Sequence, residues 1–269
     1  MKKPVVTKRW TFLLFVLFAS INYSTAQCTG CQLTITVPTN ATFNPTAGQV
    51  ICIVGTGAFT GSLNNFNGNT LCIGTGVTYN PSSNPNYNGN WTIINNGTFA
   101  NTNGLNFNSG TSFTNGPTGT VAFTNVTISS GVTFVNNGNM AIGNITLNSG
   151  ATATLGGTTT ISGQLGNNGT LTVVGSIVAG SITNNGSGRI VGGAGPGCNS
   201  IRATGTFSNS GTFGGPGSQS LFVGNTGGAI ASPATSTAPA TPSGQPTAII
   251  LTRSGTTISG SFTATPSNG

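Results

Sequence analysis

The chain has 269 residues and contains no Asp, no Glu and no His. Those three side chains carry most general acid–base catalysis, hydrolytic metal chemistry and carboxylate-paired glycoside cleavage, because they change protonation or donate hard lone pairs near neutral pH. Their absence argues against an enzyme and against any cofactor or metal held by carboxylate or imidazole. Positive charge is also scarce. Four of the seven basic residues are Lys2, Lys3, Lys8 and Arg9, ahead of the apolar run Trp10–Ala19, leaving Arg189, Arg202 and Arg253 for the rest. The apparent basicity is therefore local, and no nucleic-acid partner is expected. That apolar run is too short to span a bilayer as a stable helix.

The basic start, the apolar run and the small-x-small end Ser24-Thr25-Ala26 together read as a secretory signal peptide over residues 1–26, cleaved after Ala26. The expected location is secreted or on the cell surface, with no transmembrane segment in the mature chain. Without charge, solubility falls to the abundant Asn, Thr, Ser and Gly. Regularly spaced Val, Ile, Leu and Phe set the chain apart from disordered sequences of similar polarity.

Between Val121 and Leu155 the apolar residues fall in i, i+2 pairs, which is the mark of short strands burying one face. Val121/Phe123, Val126/Ile128 and Val132/Phe134 return one repeat later, at a constant offset, as Met140/Ile142, Ile145/Leu147 and Ala151/Ala153. Thr159/Ile161, Leu165 and Leu171/Val173 continue the pattern, and Leu105/Phe107 with Phe113 precede it. Two sets of corners recur beside these pairs. One is Asn108-Ser109-Gly110, Ser129-Ser130-Gly131 and Asn148-Ser149-Gly150; the other is the Asn-Gly steps at Asn96, Asn115, Asn137, Asn168 and Asn185. Both suggest left-handed backbone at sharp turns. Three strands and three corners per repeat predict an all-β fold, a right-handed parallel β-helix with coils of about 20 residues, over 27–225. An antiparallel sandwich is the competing reading, because Asn-Gly also marks hairpins.

In a secreted chain cysteine is read first as disulfide. Cys52 and Cys72 lie on similar strands one repeat apart, so a Cys52–Cys72 bridge is one expectation, with Cys28 and Cys31 bridging each other. Crosswise pairing of these four is the other, and Cys198 is left over. The bridges would staple a solenoid end, where an open strand edge also permits self-association. Two further groups qualify as ligand-face residues. The Thr-x-Thr pairs Thr152/Thr154, Thr158/Thr160 and Thr170/Thr172 resemble the hydroxyl ladders of ice-binding faces, although their spacings do not recur once per coil. Tyr79, Tyr87 and Trp91, around an insertion at Pro81–Asn90, form an aromatic cluster that suits sugar rings if exposed and core packing if not.

Residues 226–244 form a Pro/Ser/Thr-rich linker. The segment 245–269 resembles the first two strands of a fibronectin type III-like module, so the sequence reads as truncated there. Together, the leader, early cysteines, Asn/Gly/Thr-rich repeats and tail resemble adhesin-like β-helix regions of large secreted proteins of Bacteroidetes. That resemblance implies a noncatalytic adhesin or structural surface module without a cofactor, whose partner is a surface glycan or protein. The alternative is a soluble ice- or glycan-binding β-helix.

Overall fold

The computed structural model describes residues 29–225 apart from 65–66, 83–85, 88, 196–198, 215–217 and 220, together with two short strands at Thr252–Ser254 and Thr257–Ser259. The segment 1–26 read as a signal peptide, Cys28, Cys198 and the segment 226–244 read as a linker lie outside the described residues. Among the described residues there is no helix, and none long and apolar enough to cross a membrane.

Twenty-one strands form one parallel sheet wound into a β-solenoid of about nine turns, with coils of about 20 residues. The i, i+2 pairs stack in register as the sequence repeat predicts. Val121 sits beside Met140, Val126 beside Ile145 and Phe134 beside Ala153, each partner one coil further along the chain. Parallel pairing throughout this sheet excludes the antiparallel sandwich. The one antiparallel pair of strands, Thr252–Ser254 with Thr257–Ser259, falls inside the segment likened to a fibronectin type III-like module.

Each coil has three faces. The first carries short strands such as Thr92–Asn95, Ser112–Asn115, Thr133–Asn136, Thr152–Leu155 and Thr170–Val173. The second and third are the two halves of longer strands, Thr120–Ile128, Asn139–Leu147, Thr158–Asn167 and Ser176–Asn184, which bend around a corner midway. Register shifts between Ile142 and Ile145, and between Ile161 and Gln164, mark that corner. The first face pairs without a shift from Thr70 to Gly192.

Alternate side chains point inward and stack along the axis, because a strand puts successive side chains on opposite faces. In the N-terminal half the stacks are aromatic: Phe59 on Tyr79 on Phe99, Tyr87 on Phe107, and Phe113 on Phe134 with ring centroids 4.7 Å apart. In the C-terminal half Ala153, Leu171, Ile177, Ala179 and Ile182 take their place, all buried.

The two sets of corners have different causes. Gly110, Gly131 and Gly150 have φ of 86°, 73° and 78°, the left-handed turn expected of them. The glycines of the Asn-Gly steps do not adopt positive φ, and the Asn residues there do not either. Four of the five are glycine for lack of room, Gly186 being the exception: a Cβ on Gly138, for instance, would meet the carbonyl oxygens of Gly116 and Gly119.

Candidate functional site

The interior holds a polar feature that sequence reasoning missed. Asn95, Asn115 and Asn136 stack in register at the ends of first-face strands and are fully buried. The Asn95 amide Nδ2 donates to Asn115 Oδ1 at 2.7 Å, and Asn115 Nδ2 donates to Asn136 Oδ1 at 2.7 Å. Asn136 Nδ2 then donates to Thr159 Oγ1 at 3.0 Å, which closes the ladder. A second ladder runs Asn167–Asn184–Asn209 on the third face, again with 2.7 Å steps. Stacked amides satisfy each other along the axis, as buried polar groups require. In sequence these residues sit beside Gly or close to it and read as corner residues, which hid their inward direction. These ladders are structural: apart from Asn95 Oδ1 at the end of the first, the linked amides are taken up by their neighbours.

One bridge between described cysteines is crosswise. Cys31 bonds Cys52 across a Cα separation of 5.6 Å, so the expected Cys52–Cys72 bridge does not form. Cys52 and Cys72 do stack in register. Their Cβ atoms nevertheless repeat at the strand spacing of about 4.8 Å, beyond the roughly 3.5–4.5 Å a disulfide prefers, whereas Cys31 lies ahead of the first strand, outside its paired register. Cys72 is also disulfide-bonded. Both Cys52 and Cys72 are buried, although they alternate with the inward Ile51, Ile53, Leu71 and Ile73. The strap at Cys31 therefore lies over the outer surface of the first coils.

Tyr79, Tyr87 and Trp91 are core residues and form no exposed sugar platform. All three are at most 1% exposed. The supposed insertion is a third-face strand: Asn86 and Tyr87 pair with Asn106 and Phe107, which turns Tyr87 into the same stack as Phe107. Burial pushes the phenol of Tyr79 well above its ordinary value. Burial, then the nearby Tyr79, pushes Tyr87 up as well.

The six threonines divide between two faces. Thr152 stacks on Thr170 and Thr154 on Thr172, once per coil, on the first face. Thr158 and Thr160 lie on the second face, beside Asn139 and Ala141 on one side and Ser176 and Val178 on the other. The expectation that the pairs do not recur once per coil is thus corrected for four of the six. The missing periodicity came from counting both faces as one.

Register extends the first-face array in both directions. One outward column runs Thr70, Thr92, Ser112, Thr133, Thr152, Thr170, an unbroken row of hydroxyls. Two residues along each strand the parallel column runs Ile94, Thr114, Val135, Thr154, Thr172, all β-branched. Thr133 and Thr152 are exposed and the rest are half-buried against their neighbours. Arg189 follows Thr170 and ends the row. Rows repeat about every 4.8 Å along the axis, and the columns stand about 6.6 Å apart across it. Val, Ile and Thr are stiff at χ1, so the array holds its shape. The second face is less even: its second outward column of Ala100, Ala122 and Ala141 gives way to Thr160, Val178 and Arg202. Among the described residues no cluster of His, Cys, Asp or Glu could hold a metal ion.

No family model, no curated protein and no solved structure matches the chain.

Proposed function

We propose that this chain is a noncatalytic module, secreted or held at the cell surface, that adheres or gives structure through its solenoid faces. The observation that supports this reading is the in-register outward columns of hydroxyl, methyl and amide groups, with Arg189 and Arg202 the sole charges in the sequence from 29 to 225. Such a surface makes many weak contacts at fixed spacing, and linked weak contacts add into strong attachment without any one deep site. The glycan reading loses its aromatic cluster, because Tyr79, Tyr87 and Trp91 are interior.

The test is to fractionate the native polypeptide between cells and medium, and to wash the cells at low salt and at about 1 M NaCl. At that ionic strength charge attraction is screened within about 3 Å. The expected result is a cell-associated chain that resists both washes equally. Release by salt, which would mean that the chain attaches through charge and not through its uncharged faces, would overturn the proposal.

A further inference from the structure

We infer that the first face binds ice. This deepens the reading above by naming the ligand of one face, and it rests on that face being a contact surface.

The argument begins with dimensions. The two columns from Thr92 to Thr170 and from Ile94 to Thr172 repeat along the axis and again across it, with no register shift among their strands. A folded protein partner presents an irregular surface, and a single polysaccharide strand repeats in one direction. A crystal face repeats in two, which is the repeat that ten evenly spaced side chains are able to match.

Chemistry narrows the crystal to water. The array has no charge, and a charge would keep its own hydration shell instead of accepting a lattice. It has no aromatic ring, and aromatic faces are what crystalline polysaccharides stack on. It offers hydroxyls, which donate and accept as water does, alternating with methyl groups that water surrounds without bonding. Water held between such groups is anchored at the hydroxyls and ordered over the methyls, so it extends an ice lattice.

Rigidity comes from beneath. The ladder Asn95–Asn115–Asn136 ties three of these five strands together from inside, and Phe113 stacks on Phe134 under the array. These contacts fix the row spacing before any ligand arrives, so little ordering cost falls on binding. The second face lacks this evenness, because its alanines sit lower than the threonines beside them.

The experiment is slow growth of ice in a solution of the full chain, with the protein assayed in the ice and in the remaining liquid. Wild type is expected to enter the ice. Thr133→Tyr with Thr152→Tyr, placed at the centre of the array, is expected to lower that enrichment by roughly tenfold or more, since one obstruction disengages many linked contacts. Thr120→Tyr with Thr158→Tyr, on the second face, should leave it unchanged. Tyrosine favours strands, so both pairs should fold; circular dichroism checks this, and Thr133→Lys with Thr152→Lys repeats the obstruction with a flexible side chain. Wild type remaining in the liquid, equal losses from both faces, or capture by microcrystalline cellulose without entry into ice would each overturn the inference. A chain that stays out of ice while still holding to cells through the salt wash loses this inference and keeps the surface-module reading.

Discussion

Asn115 shows how a single buried amide serves two neighbours. It accepts from Asn95 and donates to Asn136, so its loss strips both at once. Asn95 stands at the end of the ladder: its Oδ1 has no partner, because Ile73 occupies the next rung. The two positions should therefore respond differently to the same change. Asn115→Leu is expected to destabilise by about 2–4 kcal/mol, because it leaves an Asn95 donor and the Asn136 acceptor without this partner in a dry interior. Asn95→Leu should cost less, since it removes two bonds, to Asn115 Oδ1 and to the Thr120 carbonyl, with an already unpartnered acceptor, where Asn115→Leu removes four. Urea denaturation midpoints of the two variants measure the difference; equal losses would mean that the ladder contributes no more than its side-chain volume.

At the scale of strands and corners, glycine plays two roles that one replacement separates. Gly131 needs a left-handed backbone, with Ser109 Oγ near the place of its missing Cβ, whereas Gly138 has ordinary φ and backbone carbonyls in that place. Asn tolerates the left-handed region. Gly131→Asn is thus expected to be nearly neutral, while Gly138→Asn should lose about 1–3 kcal/mol through overpacking against rigid backbone. Thermal unfolding of both variants distinguishes them, and the reverse order would refute the assignment. The coils themselves were legible in the sequence because inward apolar residues keep i, i+2 spacing on each strand, and one full set of three pairs, from Val121 to Phe134, returns at a single offset as Met140 to Ala153, with an energetic penalty for any other register. The outward array was not, because coil length drifts: the step from Thr70 to its partner Thr92 is longer than that from Thr133 to Thr152, which in turn is longer than that from Thr152 to Thr170. Outward threonines carry no hydrophobic signal to correct for that drift. The cysteines show the same limit. Their stacking was readable from spacing, but Cys31 lies ahead of the first strand, where no strand register sets its place, so spacing does not encode which cysteine it reaches.

For the whole molecule, the missing acids and histidines determine how stability responds to pH. Ordinary proteins lose stability in acid as paired carboxylates are protonated and buried histidines charged. Here no side chain titrates between about pH 4 and pH 8, so the folded and unfolded chains bind the same number of side-chain protons across that range. The alkaline side differs. Tyr79 and Tyr87 are fully buried, and burial raises both phenols above the unfolded value of about 10. Below that value both states hold the proton and the contribution is fully present. Above it the unfolded chain sheds protons that the folded chain keeps, so the stability is lost as the pH climbs towards the folded values. The denaturation midpoint should accordingly stay level from about pH 5 to 8 and fall above about pH 10. Tyr87→Phe should make that alkaline fall shallower, because it removes one of the two protons retained only by the folded state. Midpoints measured across this range for wild type and variant test both statements. A slope near pH 5 would require a titrating group that the sequence does not contain, and an unaltered alkaline limb in the variant would mean that the buried phenols are not what unfolds the solenoid in base.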